Sequence, residues 1–116
     1  MIPRLVKSVG YARTGIWHAF LTQPNMWVHL GVGLVVSCLA WWLRFNVLEW
    51  GILLLVIFMV LILEMINTVA EIVVDIASPE FSDLARTAKD VSAGAVLIAA
   101  IMSIIIGALL FGSKFV

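Results

Sequence analysis

Residues 91–112 contain no charged side chain, and two further apolar stretches precede them. Residues 26–43 hold one ionisable group apart from a cysteine, His29, near their start, and residues 51–63 hold none. A helix needs roughly 20 apolar residues to cross about 30 Å of hydrocarbon. The pattern therefore predicts three spans, over residues 26–45, 48–76 and 88–112. Backbone groups find no water in that medium, so each span must be helical. The middle one exceeds a single crossing: at 1.5 Å per residue it reaches about 43 Å, and one end must stand in headgroups or water. Of 116 residues, 64% are apolar and 12% charged. A small soluble domain needs more polar surface than that, and a disordered chain needs far less apolar content.

Residues 4–20 form an element of another kind. Leu5, Val9, Ala12, Ile16 and Phe20 recur at helical spacing on one side, with Arg4, Lys7, Tyr11 and His18 on the other. This predicts an amphipathic helix lying along the membrane surface. Thr22-Gln23-Pro24-Asn25 turns the chain into the first span, and Pro79 interrupts the link between the second and third. The expected fold is an all-α membrane protein, one domain over residues 1–116, with three transmembrane helices and an N-terminal surface helix. Arg4, Lys7, Arg13, Arg86 and Lys89 share one side against Arg44 and Lys114 on the other. That imbalance places the N-terminus and the 77–88 connection in the cytoplasm, with Trp41, Trp42 and Trp50 at the outer interface.

Four polar residues interrupt the middle span. Glu64, Asn67, Glu71 and Asp75 fall within one third of the helix circumference, with Thr68 among them. An acid among apolar neighbours is costly and is usually functional. Helix rise puts Glu64 about 21 Å from Trp50, in the inner leaflet, with Glu71 and Asp75 roughly 10–16 Å further on. One helix face thus leads from lipid depth toward water. A lipid hydroxyl would reach the first acid while a soluble anion or metal meets the others. Lys89 and Asp90 stand at the expected start of the third span, where free amides favour anions. Ala93, Gly94, Ala95, Ala99 and Ala100 would let that helix approach its neighbours closely.

Other chemistries find no support. Seven basic and seven acidic side chains cancel, so charge does not point to nucleic acid. One cysteine, Cys38, forms no intrachain disulfide, and with His18 and His29 it makes no zinc spacing. There is no phosphate-binding GxxxxGK[ST] loop. A small proton-coupled transporter using Glu64 would place that acid near the bilayer midplane and show an inverted repeat. The acids instead lie toward one end of the span, and no repeat is visible.

The residues from Glu64-Met-Ile-Asn67 through Glu71 to Asp75, followed by Ala88-Lys89-Asp90 and Gly94-Ala95-Val96-Leu97, resemble the signature of the prokaryotic diacylglycerol kinase family, which includes undecaprenol kinases. Arg4, Lys7, Gly10, Tyr11 and Gly15 resemble that family's surface helix. The resemblance implies a homotrimeric, ATP-dependent lipid kinase of a prokaryotic cell membrane, with sites shared between protomers. It makes Glu64 the general base for the lipid hydroxyl and Glu71 the Mg2+ ligand. Asn67, Asp75, Lys89 and Asp90 would hold phosphates, metal or nucleotide. Arg4 and Tyr11 would reach the nucleotide from the surface helix, Glu80, Phe81 and Ser82 would cover its ribose and base, and Arg13 and Trp17 would meet the lipid. One departure is visible: a second metal carboxylate usual just before the first span is replaced by Gln23, whose amide oxygen coordinates Mg2+ more weakly. Ser78-Pro79-Glu80 and residues 25–29 look closer to the undecaprenol branch than to the diacylglycerol branch.

Overall fold

The computed structural model describes residues 1–116. The chain is entirely helical: α1 (Ile2–Thr22), α2 (Pro24–Trp42), α3 (Val47–Ala77) and α4 (Asp83–Gly112). The last three are long and apolar enough to cross a membrane, as expected from the sequence. The 31 residues of α3 reach about 46 Å by helix rise, longer than the hydrocarbon layer. α3 is the central element, packed along α4, with α2 beside it and α1 touching α2 and α3 near one end. Only 12 of 116 residues are buried, so most apolar side chains are left to face lipid or another protein surface.

α4 begins five residues earlier than the expected start of the third span at Lys89's neighbour Ala88. Ser82 is the reason: its hydroxyl oxygen accepts the backbone N–H of Ala85 at 3.0 Å, with Asp83 in the first turn. A serine cap followed by an acid stabilises a helix start through the free amides and the dipole. Lys89 and Asp90 therefore lie well inside the helix, and the free amides belong to its first turn at Asp83. Their expected placement at the helix start is corrected.

Two corners fix how the helices meet. Between α1 and α2, Pro24 occupies the first helical position, which needs no N–H donor. The Trp27 indole N–H donates to the Phe20 carbonyl at 2.8 Å, and the two rings meet edge to face with centroids 4.9 Å apart. Midway along α2, a side chain at Gly33 would come within 3.0 Å of Ile57, so this glycine sets the approach of α2 to α3.

The far corner holds the buried cluster of Ala40, Phe45 and Leu53, flanked by Trp50, Leu110 and Phe111. Phe45 N–H donates to Ala40 carbonyl and Arg44 N–H to Trp41 carbonyl, at 3.1 and 3.2 Å. That pair is the Schellman closure of a helix C-terminus, normally built around glycine. Here Arg44 takes the left-handed conformation, with φ of 58°, a strained choice for a residue with a side chain. Arg44→Gly is expected to stabilise the fold by about 1 kcal/mol; thermal unfolding in detergent checks it. Across the corner Asn46 and Glu49 exchange hydrogen bonds at 2.9 Å as a capping box, and Lys114 Nζ donates to Glu49 at 2.7 Å. These contacts pin the ends of α3 and α4 together opposite the site described next.

Candidate active site

The polar stripe of α3 runs along the crevice between α2 and α4, and its exposure rises toward the Ala77 end. Glu64 is 2% exposed and Asn67 8%. Glu71 is half-buried and Asp75 exposed.

Glu64 faces the start of α2. The Asn25 amide donates to its Oε1 at 3.4 Å, and His29 Nε2 lies 3.6 Å from its Oε2. The Thr68 hydroxyl donates to the Glu64 backbone carbonyl at 3.0 Å. Asn25 and His29 belong to the first turns of α2, so Glu64 sits level with one end of that span. A midplane position, which the transporter reading requires, does not describe it.

Asn67 faces the other way, toward α4, where the Ser92 hydroxyl donates to its Oδ1 at 2.7 Å. Below it opens a cleft of about 390 Å³ between the end of α3, the 78–82 link and the first turns of α4. Glu71, Asp75, Glu80, Phe81, Ser82, Lys89 and Asp90 all line it, together with Arg86. Seven of the residues proposed from sequence thus share one wall. Lys89 Nζ pairs with Asp75 Oδ1 at 2.5 Å, and Arg86 pairs with Asp90 at 3.3 Å one turn along α4. Glu71 joins none of the chain's four ion pairs.

The charge of this lining has a consequence for any bound phosphate. Four carboxylates, Glu71, Asp75, Glu80 and Asp90, face two cations, Arg86 and Lys89, leaving an excess of negative charge. A nucleotide triphosphate enters such a cleft only with a divalent cation to offset it. Mg2+ binds through one or two carboxylates and completes its octahedron with waters and substrate phosphates. An unpaired carboxylate in the cleft wall is that kind of donor, and Glu71 fits. No three acidic, histidine or cysteine side chains converge to form a full protein cage.

Other sequence-proposed residues stay apart from the cleft within one chain. Arg4 and Tyr11 are exposed on α1. Gln23 closes α1, its N–H donating to the Ala19 carbonyl at 2.9 Å, and it does not line the cleft. Arg13 and Trp17 line a hollow on α1 with Val9, Ala12, Thr14 and Ile16. A different face of α1, carrying Gly15, His18 and Ala19, forms an apolar groove of about 470 Å³ with Met65, Thr68 and Val69 of α3. That groove, next to the residue bonded to Glu64, was not anticipated.

Sequence reasoning also missed Asn25, His29, Ser92 and Arg86. His29 alone carries a signal, as the one basic side chain of α2. The others are unremarkable until the helices are packed.

Fold and site together define a multi-pass membrane protein with a charged cleft at one end of its bundle and a buried carboxylate above it. The profile described as "Prokaryotic diacylglycerol kinase" matches residues 10–111. The chain is 41% identical over 106 residues to a diacylglycerol kinase of Synechocystis sp., covering 90% of this chain and 61% of that longer relative. It is 36% identical over 111 residues to an undecaprenol kinase of Bacillus subtilis, covering 96% of this chain and 90% of the relative. A diacylglycerol kinase of Escherichia coli is 30% identical over 112 residues, 97% of this chain and 92% of its own length. The chain belongs to the prokaryotic diacylglycerol kinase family, and it is an enzyme of the lipid-kinase class.

Proposed function

We propose that the protein transfers the γ-phosphoryl group of ATP to the hydroxyl of a membrane lipid, undecaprenol in the first place and diacylglycerol in the second. The observation that carries this is the stacking of two unlike environments along α3. A cleft holding Glu71, Asp75 and Lys89 stands at the exposed Ala77 end of the helix, and a buried carboxylate, Glu64, lies about 10 Å along it by helix rise. Phosphoryl transfer needs positioning and charge neutralisation more than covalent chemistry, plus a base for the attacking hydroxyl.

In this reading the nucleotide occupies the cleft. Lys89 and Arg86 neutralise phosphate oxygens, Asp75 holds Lys89 in place, and Glu80, Phe81 and Ser82 of the link cover ribose and base. Mg2+ would be held by Glu71 and would supply charge neutralisation to the phosphates. Asn67, anchored by Ser92, stands between cleft and base, placed to orient the transferred group. The lipid approaches along the bilayer with its hydroxyl at Glu64, which takes the proton as the lipid oxygen bonds to phosphorus. The bond from phosphorus to the bridging oxygen of ADP breaks, and the electron pair leaves on ADP.

Arg4, Tyr11, Arg13, Trp17 and Gln23 join a site of this kind only if α1 of one protomer serves the cleft of another. A homotrimer with shared sites accounts for them. The cytoplasmic side, where ATP is found, would be the one bearing the cleft, as the basic residues near it indicate. Gln23→Glu, which restores a carboxylate, is then expected to lower the Mg2+ concentration for half-maximal rate roughly three- to tenfold. An unchanged metal titration removes Gln23 from the site.

The test of the function itself is purified protein in detergent with labelled ATP, Mg2+ and each lipid in turn. Transfer of label to undecaprenol or diacylglycerol is the expected result. No transfer to any lipid, with the fold intact, overturns the proposal.

A further inference from the structure

A carboxylate in an apolar span is tolerated when something compensates its charge. Glu64 is 2% exposed, and its Oε2 is buried without a hydrogen-bond partner. The nearest group able to carry positive charge is His29, whose Nε2 lies 3.6 Å from that oxygen. No lysine or arginine replaces it: Lys89, Arg86 and Lys114 are paired elsewhere, and Arg4, Lys7, Arg13 and Arg44 are exposed and make no ion pair with Glu64. The other contact, the Asn25 amide at 3.4 Å on Oε1, is neutral at every pH. The His29 side chain keeps 23% of its surface exposed, so its ring reaches the surroundings that Glu64 does not.

The elements around the pair add little competing charge. Within α2 the only other titratable side chain is Cys38, and α4 has none between Asp90 and Lys114. On α3 the next is Glu71, about 10 Å away by helix rise. α1 presents His18, on the groove side of Thr68. The electrostatics at Glu64 are therefore set mainly by one imidazole.

We propose that His29 is the positioning residue of the base: its ring, the nearest group able to carry positive charge, aims the Glu64 carboxylate and offsets its charge. The proposal rests on the reading of Glu64 as general base. The lipid's proton goes to Glu64, and no proton is passed to His29.

Three variants and one spectrum decide it. His29→Gln keeps a donor but no charge, and kcat is expected to fall about tenfold, KM values staying within about twofold. His29→Leu removes both donor and charge and is expected to cost about a hundredfold through misplacement of the base. His29→Lys, which restores a charge at this position, is expected to recover rate. A His29→Gln enzyme whose kcat matches the parent's, or whose KM values move in place of kcat, overturns the proposal. Independently of activity, ¹⁵N imidazole spectra in a His18→Gln background should show the His29 resonances moving on Glu64→Gln. Unmoved resonances overturn the contact. A parent inactive on every lipid would defeat the kinase reading alone, since the spectra still report the pair.

Discussion

Glu64→Gln is expected to lower kcat by about two to four orders of magnitude, the range that a positioned general base contributes, while ATP binding stays close to that of the parent. Glutamine matches glutamate in shape and still accepts the Asn25 amide through its Oε1, but it takes no proton at neutral pH. The cleft lined by Glu71, Asp75 and Lys89 lies about 10 Å along the helix, so the nucleotide feels the change only indirectly. Stability should change little, because a neutral amide of the same size removes a desolvation cost while giving up the charge that faces His29. Turnover on lipid, equilibrium binding of a nucleotide analogue and thermal unfolding, measured on one preparation, separate the effects. Joint loss of turnover and nucleotide binding in a folded variant would place Glu64 in the nucleotide site and end its assignment as base.

Much of this arrangement is legible in the sequence because it depends on one helix at a time. Three apolar runs predict three spans, and the 3.6-residue repeat alone puts Glu64, Asn67, Glu71 and Asp75 on one face. The same periodicity finds α1. Proline and serine near residues 78–82 mark the link whose Glu80, Phe81 and Ser82 wall the cleft. What the sequence hides is how helices rotate against one another. Glu64 meets His29 across 35 positions and Asn67 meets Ser92 across 25, and no local pattern encodes either pairing. Local chemistry misled in two places. The Ala88-Lys89-Asp90 signature suggested a helix start, whereas the Ser82 cap wins because its hydroxyl satisfies a free amide. The left-handed Arg44 carries no glycine to announce it; the burial of Phe45 and Ala40 in one cluster outweighs its strain. The surface helix marks the reach of a single chain. Its amphipathicity is plain, yet Arg4, Tyr11, Arg13, Trp17 and Gln23 do not line the cleft of their own chain, and the proposed function gives them a role only through an assembly of several copies.

The second large effect belongs to Glu71. Among the four carboxylates of the cleft, Asp75 and Asp90 are already engaged with Lys89 and Arg86, and Glu80 sits exposed on the link. Glu71 is half-buried, engages in no ion pair and stands on the α3 face between the base and the water end. With Glu80 it is one of two cleft carboxylates free to bind a cation without breaking an existing contact, and it is the one held on α3. Glu71→Gln is therefore expected to lower the rate by about a hundredfold at fixed Mg2+, the scale of metal-supplied charge stabilisation. Raising Mg2+ should recover part of that rate, because an amide oxygen still coordinates, though weakly. Glu71→Asp, which keeps the charge on a shorter stem, should retain more activity than the amide. Fold and thermal stability should be unchanged, since no intrachain partner is lost. Asp75→Asn provides the contrast: it frees Lys89 and should alter KM for ATP more than the Mg2+ dependence. Metal titrations of the initial rate at saturating ATP, run on the three variants beside the parent, give the comparison. If the Mg2+ midpoint stays put in Glu71→Gln and moves in Asp75→Asn, the metal is held nearer the water end, and the Lys89 pair rather than the free acid organises the phosphates.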